Sequence, residues 1–295
     1  MARSRITDAD DRRGLYGPGS EAWALNREAM LLLGAGPRAL LLQLAHPGVA
    51  AGVAEHSDFR ADPWRRLQGT LRSYLTIVYG TATAARAEIR RLNGLHRTIT
   101  GPGYHARDPE LSLWVHATLV DSTIVVADRW LEPLSRERRR RYYAETIPIG
   151  RAFGISPGLL PVDLDAFEAY VERSIGRDGP VHPNRVARDL ADAVLNPRVV
   201  PVPTSQPPAL LRVPPPLLSW TLWPSLDLLP SSVRAEYGFA WGPLQRIVTA
   251  WLVATWRWWR PSLPADFRQM PAALAADRRI AASARSARDQ LGTPR

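Results

Sequence analysis

The chain of 295 residues contains no cysteine and no lysine. Without cysteine there is no disulfide framework, no thiolate metal site, no thiolate-ligated haem and no cysteine nucleophile. All 38 basic residues are therefore arginine, which stays protonated at any working pH. Schiff-base chemistry and a titratable amine are excluded with the lysine. Long apolar runs are also missing: the best stretches, 29–45 and 217–229, are interrupted by Gly34, Gly36, Pro37 and Pro224, so no transmembrane helix is expected. The opening MARSRITDADDRRG has no apolar core of the kind a signal peptide needs, and a cytoplasmic chain is expected. Period-two alternation is scarce, which argues against a sheet protein.

What is present reads as a helical globule. The composition is 45% hydrophobic and 22% charged, enough for a large core, and 27 prolines punctuate it. Ser20 and Glu21 open an apolar segment, and Gly34 to Pro37 is read as a turn into a second one from Arg38 to Ala45. Pro63 begins a helical stretch to Gly80, and Thr83 is read as the cap of another ending at His96. Asp108, Pro109 and Glu110 give a cap, a first helical proline and an acidic first turn, so a helix is predicted from Pro109 to Leu131. Ser135 caps an arginine-rich helix that should stop before Pro148, Asp163 one that runs to Ile175, and Asn184 one that runs to Leu195. The proline-rich 196–216 reads as an extended connection and a possible subdomain seam, followed by an aromatic helix from Trp241 to Arg260 and a last helix from Pro271 to Leu291. The class is all-α.

Several motifs imitate sites. Gly34-Ala-Gly36-Pro-Arg-Ala39 with Glu55 resembles a dinucleotide fingerprint, but the residues before Glu55 are a poor strand. Gly154-Ile-Ser156-Pro-Gly158 fits a hydrolase elbow, yet Pro157 has no N–H to offer an oxyanion. Neither Glu-x-x-His nor His-Glu-x-x-His occurs, which removes the di-iron bundle and the zinc protease. Net charge +10 raises a polyanion reading through the run from Arg136 to Arg141, with a solvated helix face as the plain alternative. No nucleic acid partner is expected, because the other arginines are scattered.

Histidine chemistry remains. His116 sits mid-helix with Leu113, Val120 and Thr123 at positions three before, four after and seven after, so its imidazole should point inward, as a core residue or as a ligand. One inward neutral imidazole, an apolar pocket and cationic groups are what a haem site requires.

The segments Gln43-Leu-Ala-His46-Pro-Gly, Trp64-Arg-Arg66-Leu-Gln-Gly-Thr70, Tyr79-Gly80, His96-Arg-Thr-Ile-Thr-Gly101 and Leu113-Trp-Val-His116-Ala-Thr-Leu, in this order, resemble the MpaB-type oxygenase family, which includes latex-clearing rubber oxygenases. Leu229-Pro230, Arg234, Tyr237-Gly238 and Leu263-Pro264 with Arg268 and Pro271 are similar to its C-terminal part. The resemblance implies a single helical domain with a globin-like core and extra C-terminal helices around one b-type haem. By this division 1–15 is a polar tail, 16–280 the haem-binding domain, and 281–295 a helix end and tail. It further implies His116 as iron ligand and Arg66 and Thr70 on the oxygen side, with dioxygen and a small hydrophobic substrate as reactants. Arg66 is alternatively a propionate partner or a surface residue, and Thr70 a hydroxyl bonded back to its helix. His46 and His96 would support the cofactor or the packing. Rubber oxygenases carry a lysine where this chain has Gly69, and they carry export signals, so the resemblance argues against polyisoprene as substrate. Asp121 is either a buried partner or an N–H acceptor. Trp251, Trp256, Trp258 and Trp259 are read as core and interface packing or as tunnel lining.

Overall fold

The structure is a computed structural model that describes residues 7–57, 63–195 and 223–291. In order, α1 spans Asp8–Arg13, α2 Glu21–Asn26, α3 Ala29–Leu44, α4 Pro47–His56, α5 Pro63–Tyr79 and α6 Ala82–His96. A two-stranded hairpin, β1 Thr100–Gly101 and β2 Tyr104–His105, precedes α7 at Pro109–Val126, whose last turn widens to a π turn at Ala127–Leu131. Then come α8 Arg136–Ala152, α9 Leu164–Ile175 and α10 Arg185–Leu195. After a 3-10 turn at Trp223–Leu228 follow α11 Ser231–Glu236, α12 Pro243–Trp259, α13 Ala265–Arg268 and α14 Pro271–Leu291. The predicted connection over 196–216 lies outside the described residues. The fold is all-α, a single domain.

At its centre α3 lies along α7. Helix α7 is apolar on nearly every side and therefore buried, and its terminal caps are those expected: Asp108 Oδ1 accepts the Glu110 N–H at 2.8 Å. Contrary to the expectation that no helix would be so apolar, Pro109–Leu131 is long and apolar enough to cross a membrane; it is the central core helix, more than half buried. Leu31 and Ala35 of α3 pack on Ala117, Val120 and Ile124 of α7, while Leu41, Leu42 and Leu44 meet Trp114 and the α10 residues Ala187 and Leu190. The Trp114 indole donates to the Leu42 carbonyl at 3.0 Å.

Two helices run through prolines expected to end them. Helix α3 continues across Gly34, Gly36 and Pro37 because the segment is buried against α7 and packing outweighs the lost N–H. Gly34 has a packing reason of its own, since a methyl group there would stand 2.5 Å from the Trp130 ring. The dinucleotide-like fingerprint is thus the middle of a helix with no strand before it. Helix α8 likewise passes Pro148 and ends at Ala152. The cap of α6 is Thr81, whose hydroxyl accepts the Ala84 N–H at 3.1 Å, and the Thr83 N–H goes instead to Asp11 at 2.7 Å. The caps Asp163 and Asn184 are as read, accepting from Ala166 and Ala187 at 2.8 and 2.9 Å.

Helices α2 and α8 clasp each other. Glu145 accepts the backbone N–H groups of Glu21 and Ala22 at 3.0 and 2.8 Å, capping α2 from across the interface. In return Glu21, buried, is held by Arg138 at 3.0 Å and Arg141 at 2.5 Å.

Candidate functional site

Four of the predicted residues fall on three helices, Arg66 and Thr70 on α5, His96 at the end of α6 and His116 on α7. His116 projects from α7 toward α8, where Gly150 leaves room for it: a methyl at Gly150 would lie 3.3 Å from His116 Nε2 and 3.1 Å from Leu160 Cδ2. The Nε2 atom is buried and has no hydrogen-bond partner. Burial in apolar surroundings lowers the ring to about 4, so the imidazole is neutral at pH 7.

Two turns along the same face of α7, Thr123 stands by Tyr142 of α8, so the two helices run antiparallel with His116 opposite Gly150 and Thr123 opposite Tyr142. Burial pushes the Tyr142 phenol up to about 12, while hydrogen bonds with Thr123, Asn26 and Tyr74 pull the other way. Tyr74 of α5 donates to Asn26 Oδ1 at 2.7 Å, and its phenol is also raised by burial. This buried tyrosine cluster escaped the sequence reading, because its members come from α2, α5, α7 and α8.

Arg66 and Thr70 do come together. The Arg66 guanidinium donates to Thr70 Oγ1 at 2.7 Å, and that hydroxyl donates back to the Arg66 carbonyl at 3.1 Å. Both residues are exposed on α5, and Gly69 beside them faces open space. His96, at the end of α6, lies close enough to Arg66 for the guanidinium to add to the lowering of its pKa, whose larger cause is burial. One turn before it, Asn93 donates to the Ala152 carbonyl at 2.9 Å, tying α6 to the end of α8 two residues beyond Gly150. So Arg66, Thr70 and His96 form one group, joined to His116 through α8.

His46 stands apart from that group. Its Nδ1 accepts the Gly48 N–H at 3.2 Å as the cap of α4, at the elbow where α3 and α4 meet at 101°. It borders a cleft of about 370 Å³ with Gly103, Asp108, Glu110 and Pro180. A second cleft of about 440 Å³ lies between Arg13, Tyr16, Ser20, Glu145 and Pro148. Neither is lined by His116, His96 or Arg66.

Asp121 is a buried partner. It accepts from Arg38 Nη1 at 2.6 Å, and the same guanidinium reaches Ser122 Oγ at 2.9 Å and the Leu228 carbonyl at 2.7 Å. At 83 positions apart in the sequence, Arg38 and Asp121 gave no local signal of this pairing.

The residues 23–258 match the family described as ER-bound oxygenase mpaB/B'/Rubber oxygenase, catalytic domain. The chain belongs to the MpaB and rubber-oxygenase catalytic-domain family. Two curated relatives, uncharacterized proteins of Mycobacterium bovis and Mycobacterium tuberculosis, are each 30% identical over 146 residues, 46% of this chain. The match spans 57% of each relative's length. No solved structure matches.

Within this oxygenase-family domain the donor set suits a haem better than a bare metal ion. Among the described residues no three His, Asp or Glu side chains gather to hold a metal. Haem iron asks for one neutral imidazole nitrogen free of other partners, and His116 Nε2 is such an atom.

The arginine run is not a free cationic face. Arg136 pairs with Asp165 and with Glu168 at 2.7 Å, Arg138 with Glu132 at 2.7 Å, Arg139 with Asp128 at 2.6 Å and Arg140 with Asp165 at 3.7 Å. Arg141 holds Glu21, as described above. Every arginine of the run is thus paired with a carboxylate from α2, α9 or the π turn region.

Proposed function

We propose that this chain is a haem b-dependent oxygenase that acts on a small hydrophobic substrate, with His116 as the protein ligand of the iron. The observation that carries the reading is the buried, unpartnered Nε2 of His116 beside a glycine. Leaving a buried polar nitrogen unsatisfied costs about 1–3 kcal/mol, and ligation would remove that cost. Bound haem would supply the iron at which dioxygen is activated.

The chain's own residues then have definite tasks. Burial keeps the His116 ring deprotonated and available as a donor at neutral pH. Gly150 keeps α8 clear of the ring edge. Arg66, always protonated, offers a cation to a propionate or to a developing negative charge, with Thr70 holding its guanidinium. The Tyr142 phenol remains protonated and orients the hydroxyls around it.

A second reading exchanges the imidazoles. If Arg66 is the propionate partner and not on the oxygen side, the imidazole beside it is His96 and not His116. On that reading His96 holds the iron and His116 packs against α8.

Supplying the full chain with haemin and recording its absorbance tests both. The expected result is a Soret band that His116→Ala abolishes and His96→Ala retains. The reverse pattern gives the iron to His96. A wild-type chain that takes up no haemin overturns the haem reading altogether.

A further inference from the structure

Helix α12 turns its apolar side to solvent. Leu244 is 70% exposed, Ile247 66%, Trp251 65% and Trp258 72%, with Val248 and Leu252 beside them. At about 100° per residue these six fall within roughly 140° of arc, a continuous stripe along the helix. Thr249 and Val253 face the opposite way, toward the protein. Trp251, Trp258 and Trp259, read as core and interface packing or tunnel lining, are exposed and so lie outside the core, whereas Trp256 has its indole nitrogen buried. Core formation explains tryptophan at Trp256, but not along an outward stripe.

Charge identifies what such a stripe would meet. From Tyr237 to Ala265 the sequence has no aspartate or glutamate, but it has Arg246, Arg257 and Arg260. Arg260 lies 3.7 Å from Glu28, whereas Arg246 and Arg257 are exposed and pair with no carboxylate among the described residues. These two are eleven residues apart, which puts them on the same side of the helix, about 80–100° round from Ile247 at the edge of the stripe. The 136–141 run, by contrast, is paired completely. A second copy of the chain seated on this face would bring like charges together. An anionic bilayer suits this helix: tryptophan favours the headgroup level, aliphatic side chains the acyl boundary, and a segment with arginines and no carboxylate is attracted to the negative surface.

We propose that α12 docks this protein on the surface of an anionic lipid bilayer, lying in the plane of the interface with the Leu244 to Trp258 stripe inserted and the positive charge of Arg246 and Arg257 drawing the helix to the anionic surface. The proposal is independent of the haem reading. Such a helix lies on a membrane without crossing it, because its inner face remains packed on the protein.

Flotation of the full chain with vesicles of phosphatidylcholine, with and without about 30% phosphatidylserine, tests it, together with quenching of tryptophan emission by brominated phosphatidylcholine. Wild type should float with the anionic vesicles, release as salt is raised, and show quenched tryptophan. The Trp251→Glu/Trp258→Glu variant should lose at least about tenfold in partitioning, and because both sites are exposed its melting temperature should stay at the wild-type value. Arg246→Gln/Arg257→Gln should lose about tenfold on phosphatidylserine vesicles and nothing on phosphatidylcholine alone. No flotation of wild type, or flotation that the tryptophan variant leaves unchanged, overturns the proposal. So does a lipid-free dimer that the tryptophan variant dissociates, which would give this face to a second copy of the chain.

Discussion

Lowering the pH of the cofactor-free protein from 7 to 5 should cost the fold about 2 kcal/mol through His116 alone. Burial lowers this ring from its ordinary 6.5 to about 4 in the folded chain. The unfolded chain therefore binds the proton more readily, so stability is complete above pH 6.5 and is lost as the pH falls toward 4. At pH 7 the effect is about 0.2 kcal/mol and at pH 5 about 2 kcal/mol, approaching about 3.4 kcal/mol below pH 4 at 1.36 kcal/mol per pKa unit. Other groups titrate in the same window: burial also lowers His46 and His96, while Glu236 raises His182 and acts in the opposite direction. Comparison with His116→Leu cancels them, because they remain in both chains. Urea unfolding of wild type and variant at pH 7, 6 and 5 reads the difference directly. Relative to the variant, wild type should lose about 2 kcal/mol over this range. Parallel curves would mean that the ring reaches water or a hydrogen-bond partner in the folded protein. The buried-donor argument for iron ligation would fall with that result.

Two further substitutions probe the framework that holds the ring. Gly34→Ala should destabilise by about 1–3 kcal/mol because the methyl meets the buried Trp130 ring, whereas Gly69→Ala, in open space on α5, should stabilise by up to about 1 kcal/mol through helix propensity; thermal unfolding in which Gly34→Ala was as stable as wild type or more so would refute the packing role of Gly34. Arg38→Ala should cost about 3–5 kcal/mol by stranding Asp121, and Arg38→Ala/Asp121→Asn should recover part of it in chemical denaturation, a rescue that an unpaired Arg38 would not show.

Local signals in the sequence carried the ends of several helices. Asp108, Asp163 and Asn184 each accept a backbone N–H at a helix start, as their residue types suggest. Pro37 and Pro148 misled, because a proline's local cost was weighed without the burial that carries α3 and α8 through it. The inward direction of His116 followed from helical periodicity. Its isolation from hydrogen-bond partners did not, since that depends on Gly150 and Leu160 on other segments. The tryptophans of α12 show the reverse limitation. Periodicity reveals that a helix has an apolar stripe but not which way the stripe faces, and here it faces out.

The clasp between α2 and α8 has a dynamic consequence. Six residues are too few to hold a helix in water, because nucleation is costly and so short a segment gains little from propagation. The first turn of α2 is closed by Glu145, and its own Glu21 is gripped by Arg138 and Arg141. The amide protons of α2 are thereby shielded only while α8 stays in place, so the two segments open to solvent exchange as one unit although more than a hundred residues separate them in sequence.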